Sequence, residues 1–169
     1  MSNELYEQMK VLREKFNFDP GRVLEIGSLN INGSVRDLFE DASEYIGTDM
    51  MAGLDVDEVV NAHDLKQWWM DKGFKRFDTI LCLEMLEHDD KFWITVANMN
   101  LLLKPGGTLI VSTPTFGFPI HRHPKDYYRY GEDAYREIIF AGHDIKYFAE
   151  FKHKGVNPGI ICGGTKHEE

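Results

Sequence analysis

With 169 residues, of which 43% are hydrophobic and 28% charged, the chain has the make-up of one soluble globular domain, able to bury about 68–70% of its unfolded surface. Its 19 basic against 28 acidic side chains leave a formal charge of −9, which argues against long contacts to a nucleic-acid backbone or an anionic membrane. The polar start MSNELYEQMK does not read as a signal peptide and no apolar run nears the ~20 residues of a membrane span, so the cytoplasm is the expected location.

Leu5, Met9, Leu12 and Phe16 recur at helical spacing, which predicts a helix over residues 3–16 capped by Ser2 or Asn3. Pro20-Gly21 punctuates, and the segment RVLEIGSLNING over residues 22–33 follows. Val23, Leu24 and Ile26 predict a central parallel strand, broken at Gly27 and Ser28 and followed by a helix over about residues 33–41. A strand feeding a helix through small residues presents backbone N–H groups at the C-terminal edge of a sheet, where α/β folds bind ligands. Glu25 sits inside that strand. A carboxylate there disfavours a pyrophosphate and favours a ligand with a positive group, such as an amino-acid ammonium or a sulfonium.

Residues 44–48 predict the second strand. Asp49 ends it 22 positions beyond Gly27, about where a ribose-binding acid falls after a glycine turn; its alternative role is to cap the next turn. A loop begins at Met50, and residues 56–61 predict a short third strand. Asp64 either accepts a hydrogen bond from a base edge or caps the helix carrying Leu65, Trp68 and Trp69. Residues 77–83, FDTILCL, predict a fourth strand buried on both faces, ending in the polar cluster 84–90. Asp89 and Asp90 suit the N-terminus of the next helix, whereas Glu84 and His88 have no such simple explanation. Lys104-Pro105-Gly106-Gly107 stops that helix before a fifth strand over residues 108–112.

Residues 113–131 show no periodicity and mix prolines, aromatics, histidines and arginines, the mark of a substrate-contacting loop or lid. A helix over residues 132–140 follows, ended near His143, and two strands over residues 144–150 and 159–163 predict a mixed edge. The tail 166–169 is expected to fray. Cys82 and Cys162 lie in apolar runs without metal-ligand spacing and read as reduced core residues. No compact set of three ligands stands out, so no metal is expected.

Together these residues resemble the class I S-adenosylmethionine-dependent methyltransferases over nearly the whole chain. The resemblance rests on Glu25-x-Gly27, on Asp49, on Asp64, on LEMLEH after the fourth strand and on LLKPGG before the fifth. The loop PIHRHPKDYYRYG is similar to that of small bacterial and phage enzymes of the type 11 group. The resemblance implies a Rossmann-like α/β fold in one domain, with a mostly parallel seven-stranded sheet, an antiparallel edge and helices on both faces. It also implies S-adenosylmethionine as cofactor. Glu25 and the Gly27 turn would then hold the methionine part, Asp49 and the adjoining Met50 would meet the ribose side, and Asp64 with Leu65 the adenine. Leu83 and Glu84 would line the crevice. The sequence departs from the family at Leu29 and Ile31, which stand where glycines are common; a longer turn in which Ser28, Asn30 and Asn32 supply hydrogen bonds is the expected substitute.

Transfer of a methyl group requires chiefly that a nucleophile be aligned behind the sulfur–methyl bond, and a hydroxyl acceptor also gains from a base. His121 is the first candidate and His88 the second, with His123, Asp126, Tyr128 and Arg129 as substrate contacts. The expected acceptor is a small molecule, at a hydroxyl of a sugar or related metabolite. Neither nucleic acid nor membrane is expected as a partner, and no aromatic-proline tetrad follows the fourth strand. The competing readings are a methyltransferase for protein or nucleic acid, a degenerate cofactor-binding subunit, and, more distantly, a dehydrogenase.

Overall fold

The computed structural model describes residues 2–168. In chain order its helices are α1 (Asn3–Phe16), α2 (Leu65–Lys72), α3 (Phe92–Leu102) and α4 (Glu132–Ala134), the last continuing as a π turn over Tyr135–Ile139. The strands are β1 (Arg22–Ile26), β2 (Glu44–Asp49), β3 (Glu58–Val59), β4 (Phe77–Leu83), β5 (Leu103–Pro114), β6 (His143–His153) and β7 (Asn157–Lys166). They form one sheet in the order β3-β2-β1-β4-β5-β7-β6. β1 to β5 run parallel, while β7 is antiparallel to β5 and β6 to β7. The expected mostly parallel sheet with an antiparallel edge is therefore present, with helices on both faces.

Strand alternation builds the two cores. Leu24, Ile26, Ile80, Cys82, Leu109 and Val111 point to the face covered by α2, α3 and α4. Val23, Leu81, Ile110 and Ile161 point to the other, where Leu5, Met9 and Leu12 of α1 complete the packing. All three α1 residues are fully buried, and trimming one to alanine should cost about 2–5 kcal/mol. Of the two candidate caps of α1, Ser2 is the one used: its Oγ accepts from Leu5 N–H at 3.2 Å. Cys82 and Cys162 are free and buried. Among the described residues no helix is long and apolar enough to cross a membrane.

Several expected boundaries move. The helix foreseen over 33–41 is only a 3₁₀ turn, Arg36–Phe39. Asn30 Oδ1 takes the N–H of Gly33 at 2.9 Å and Ser34 Oγ that of Arg36 at 3.1 Å, as capping side chains do for the first donors of a helical turn. The third strand shrinks to Glu58–Val59, because Asp57 turns its carboxylate onto the Gly47 N–H and Arg36. β5, β6 and β7 outrun expectation, since cross-strand pairing extends from Thr108↔Thr165 to Pro114↔Gly159 and from His143↔Lys166 to His153↔Asn157. His143 thus opens β6 and does not close a helix. The tail is held at Lys166, whose Nζ donates to the carbonyls of Asn100 and Leu103, and at His167, whose N–H bonds Gly142.

Candidate active site

Because β1, β2, β4 and β5 are parallel, the segments that follow them open on one edge of the sheet. At the end of β1, Gly27 turns at φ +80°, and a Cβ there would lie 2.8 Å from Met85 Cγ. Glycine is required at this point, and the contact places the β1 turn directly against the segment after β4. The Thr48 carbonyl accepts from both Gly27 and Ser28 N–H. The Ser28 hydroxyl is buried without a partner. Leu29, at a position where glycine is common, packs over Gly53, and Asn30 donates to Asp55 at 2.8 Å; Ile31 is exposed. Of Ser28, Asn30 and Asn32, expected to supply hydrogen bonds to this turn, only Asn30 does so; the Ser28 hydroxyl has no partner and Asn32 is exposed.

Asp49 closes β2 half-buried, accepting from Met51 N–H at 2.9 Å and, more weakly, from Leu29 N–H at 3.4 Å. Met50, Met51 and Leu54 beside it are exposed, an apolar ledge next to a carboxylate. Asp64 is exposed and makes no capping bond to α2, while the turn before it is capped by Asn61. Leu65 is fully buried in the core and offers no exposed atom to a ligand. Glu25 is buried in β1 with its Oε2 accepting from the Tyr45 hydroxyl at 2.7 Å. Burial pushes its carboxyl up to about 7, against the lowering effect of that hydrogen bond. This orphaned hydroxyl, glycine cradle and ledge-flanked acid suit a ligand with an apolar base, a diol and a charged end.

The segment after β4 and the loop 115–131 form the other half. Glu84 adopts φ +53°, unusual for a residue with a side chain. Ser112 Oγ donates to its Oε1 at 3.0 Å, and His153 Nε2 lies 3.4 Å from its Oε2. Burial pushes Glu84 up to about 7 although a fifth of the side chain (19%) stays exposed. Glu87 is fully buried, and burial, followed by the charge of Glu84, raises its carboxyl well above the usual range. Around it stand His88 and His121, with ring centroids 4.9 Å apart. Burial lowers the pKa of both imidazoles, which keeps them neutral near pH 7. Leu83, at the end of β4, is partly buried against the α1-side core.

Asp126 and Arg129 lock the loop into shape. Arg129 grips both Asp126 oxygens and donates to the carbonyls of Phe118 and Pro119. Asp126 also accepts from His121 N–H at 2.6 Å. The guanidinium holds the Asp126 carboxyl far below the usual range. Tyr128 packs on Phe92 and donates to the Asp90 carbonyl at 3.2 Å. His123 is exposed, with its ring more than 6 Å from those of His88 and His121. Asp89 has the structural role expected of it, accepting from Thr95 Oγ1, from Lys91 N–H and from His63.

One expectation needs correction. The absence of a compact ligand set does not survive folding: atoms of Glu87, His88 and His121 lie within 4.8 Å of one another, as do those of His63, Asp89 and Asp90. Glu87 and His153 also lie beside His88, His121 and Glu84, and neither is among the expected site residues. Glu87 stood in the polar run after β4 and was readable there; His153 lies beyond the foreseen end of its strand, and no sequence signal marks it.

A family described as "Methyltransferase domain" matches residues 2–149. No curated protein matches the chain. Among solved structures the chain is similar to 1,6-didemethyltoxoflavin-N1-methyltransferase of Burkholderia thailandensis, determined with 1,6-didemethyltoxoflavin and S-adenosylhomocysteine (16% identity, TM-score 0.75, 98% of this chain and 80% of that one). It is similar also to the N-methyltransferase NodS of Bradyrhizobium japonicum WM9 in complex with S-adenosylhomocysteine (14%, 0.69, 98% and 90%). A third is the [4+2]-cyclase SpnF (15%, 0.71, 97% and 82%). At these identities the likeness is one of fold.

Proposed function

The chain belongs to the methyltransferase-domain family and has the class I methyltransferase fold, and we propose that it moves a methyl group from S-adenosylmethionine to a hydroxyl of a small molecule, such as a sugar or related metabolite. The observation that carries the reading is the meeting of two unlike halves at one sheet edge: the Gly27 turn and Asp49 on one side, neutral His88 and His121 on the other, with Met85 in contact between them. When bound, S-adenosylmethionine supplies a methyl group made electrophilic by the sulfonium. Glu25 with the Gly27 turn, Ser28 and Asn30 would hold its amino-acid end, Asp49 with Met50 its ribose, and Asp64 its base. Leu83 and Glu84 form the floor between the halves.

A hydroxyl is a poor nucleophile until its proton leaves, so an acceptor of this kind needs a group near neutrality within reach. His121 is the first choice and His88 the second, since each is an imidazole whose pKa burial lowers, so that it can accept a proton near neutrality. Asp126 and Arg129 keep the loop in place, and His123 and Tyr128 sit where an acceptor would enter. An amine acceptor arriving as the free base would need none of this. The loop 119–131 supports a nearer kinship with the type 11 group. The test is transfer of labelled methyl to panels of hydroxyl, amine and thiol acceptors. Hydroxyl compounds should be labelled; labelling confined to amines or thiols would reject the hydroxyl assignment.

A further inference from the structure

Glu87 has no settled task in that scheme, and its surroundings are unusual. It is 0% exposed, and neither carboxylate oxygen has a hydrogen-bond partner. Burying a carboxylate unpaired is costly, and native structures seldom leave one so. Asp89 in the neighbouring cluster shows the common solution, with both oxygens bonded. Of the seven buried side-chain atoms without a partner among the described residues, Glu87 supplies two and His121 Nδ1 a third.

What faces Glu87 is a pair of ring nitrogens. His88 Nε2 lies 3.5 Å and His121 Nε2 3.7 Å from Glu87 Oε1, too far for a hydrogen bond of ~2.7–3.2 Å. Each ring turns its other nitrogen to an outer acceptor. His88 Nδ1 is 2.5 Å from the Lys125 carbonyl, which can only accept, so Nδ1 carries the proton and Nε2 presents its lone pair to Glu87. His121 Nδ1 stands 3.3 Å from Asp126 Oδ2. One buried carboxyl group and two imidazole ring nitrogens thus converge on one point, with the His88 lone pair turned toward Glu87.

The geometry points to a divalent transition-metal site of zinc type, with Glu87, His88 and His121 as its ligands. Zinc bonds of about 2.0–2.2 Å in a tetrahedron set ligand atoms about 3.3–3.6 Å apart, close to the 3.5 and 3.7 Å seen here. A mixed nitrogen and oxygen set suits such an ion better than magnesium or calcium, which take oxygens. The Lys125 carbonyl and Asp126 would orient the two imidazoles from outside, as acceptors behind ligating histidines generally do. Three protein ligands leave a further position for water or an acceptor oxygen. Only that last use rests on the hydroxyl-transfer reading; with an ion present, both imidazoles serve as ligands and the cation lowers the acceptor's pKa in place of a histidine base.

The experiment is calorimetric titration of untagged, chelator-stripped full-length protein with Zn²⁺, repeated with Co²⁺ under visible absorption. One ion per chain is expected, with cobalt bands of a four- or five-coordinate site. Glu87→Gln and His121→Ala, each checked for folding by circular dichroism, should weaken binding at least ~100-fold. Asp126→Asn should keep the stoichiometry and weaken binding about 10–100-fold, and His63→Ala should bind as the unmodified chain does. Failure of the unmodified chain to bind zinc, zinc binding undiminished in folded E87Q and H121A, or loss of the ion in H63A alone would overturn the site. S-adenosylmethionine titrated in parallel separates the two readings: zinc binding without cofactor binding rejects the methyl-donor assignment alone, and the reverse rejects the metal site alone.

Discussion

The ends of β1 and β2 and the ends of β4 and β5 handle polar groups in opposite ways. In the first region backbone N–H groups meet nearby acceptors: Asp49 takes Met51, Asn30 takes Gly33, and the Thr48 carbonyl takes Gly27 and Ser28. In the second, Glu84 is partly buried and Glu87 fully buried beside imidazoles, and neither oxygen of the Glu87 carboxylate has a hydrogen-bond partner. In the first region the backbone groups of the two turns are satisfied by side chains and carbonyls of β1, β2 and their turns. The second holds charge-bearing groups whose partners come from distant segments, an arrangement that costs stability and is retained where chemistry needs it.

The widest separation between the regions should appear in His121→Gln. Single-turnover methyl transfer should fall about 10²–10⁴-fold, while S-adenosylmethionine affinity barely changes, because His121 belongs to the second region. His123→Gln, whose ring stands apart, should do less. Near-normal transfer by H121Q would remove it from the chemistry, and loss of cofactor binding would show that the two regions are not separate.

Glu25 gives the next largest effect. Its folded pKa of about 7 lies above the ordinary 4.5, so the native state holds a proton that the unfolded chain releases. The stability tied to that proton is full below about pH 4.5 and is lost as pH rises through 7, in total about 3 kcal/mol. Glu84, also raised to about 7, acts in the same direction. Urea unfolding at a series of pH values should show the decline, and Glu25→Gln should remove part of it. An unchanged slope in E25Q would mean Glu25 is ionised in the fold.

Gly27→Ala is the mildest of the three. At φ +80° with Met85 Cγ 2.8 Å from the added Cβ, it should cost about 1–3 kcal/mol of stability in urea unfolding. No loss would mean the β1 turn can relax away from the segment after β4.

How far the sequence foretold this molecule follows the same division. The apolar period of α1 and the strand runs of β1 and β4 are local, and they appear where expected. So do Gly27 and Asp49, whose positions follow from a turn and a strand end. The helix expected after Gly33 is a single 3₁₀ turn, its bonds closing from Leu38 N–H to the Val35 carbonyl and from Ala42 N–H to that of Phe39, a distinction that hydrophobic spacing does not register. The lengths of β6 and β7 depended on pairing with each other and with β5, and Lys166 was held by carbonyls of α3 and β5. The grouping of Glu87 and His88 with His121 depended on the path of the 115–131 loop, fixed by Arg129 and Asp126. No local pattern encodes that path.

Calorimetric titration of the unmodified protein and of Asp49→Ala with S-adenosylmethionine, and with a nicotinamide dinucleotide as competitor, tests the donor socket itself. One S-adenosylmethionine should bind per chain in preference to the dinucleotide, and D49A should weaken it by about 1.5–3 kcal/mol through loss of hydrogen bonds to a charged group. Tighter binding of the dinucleotide, or unchanged affinity in a folded D49A chain, would contradict the assignment.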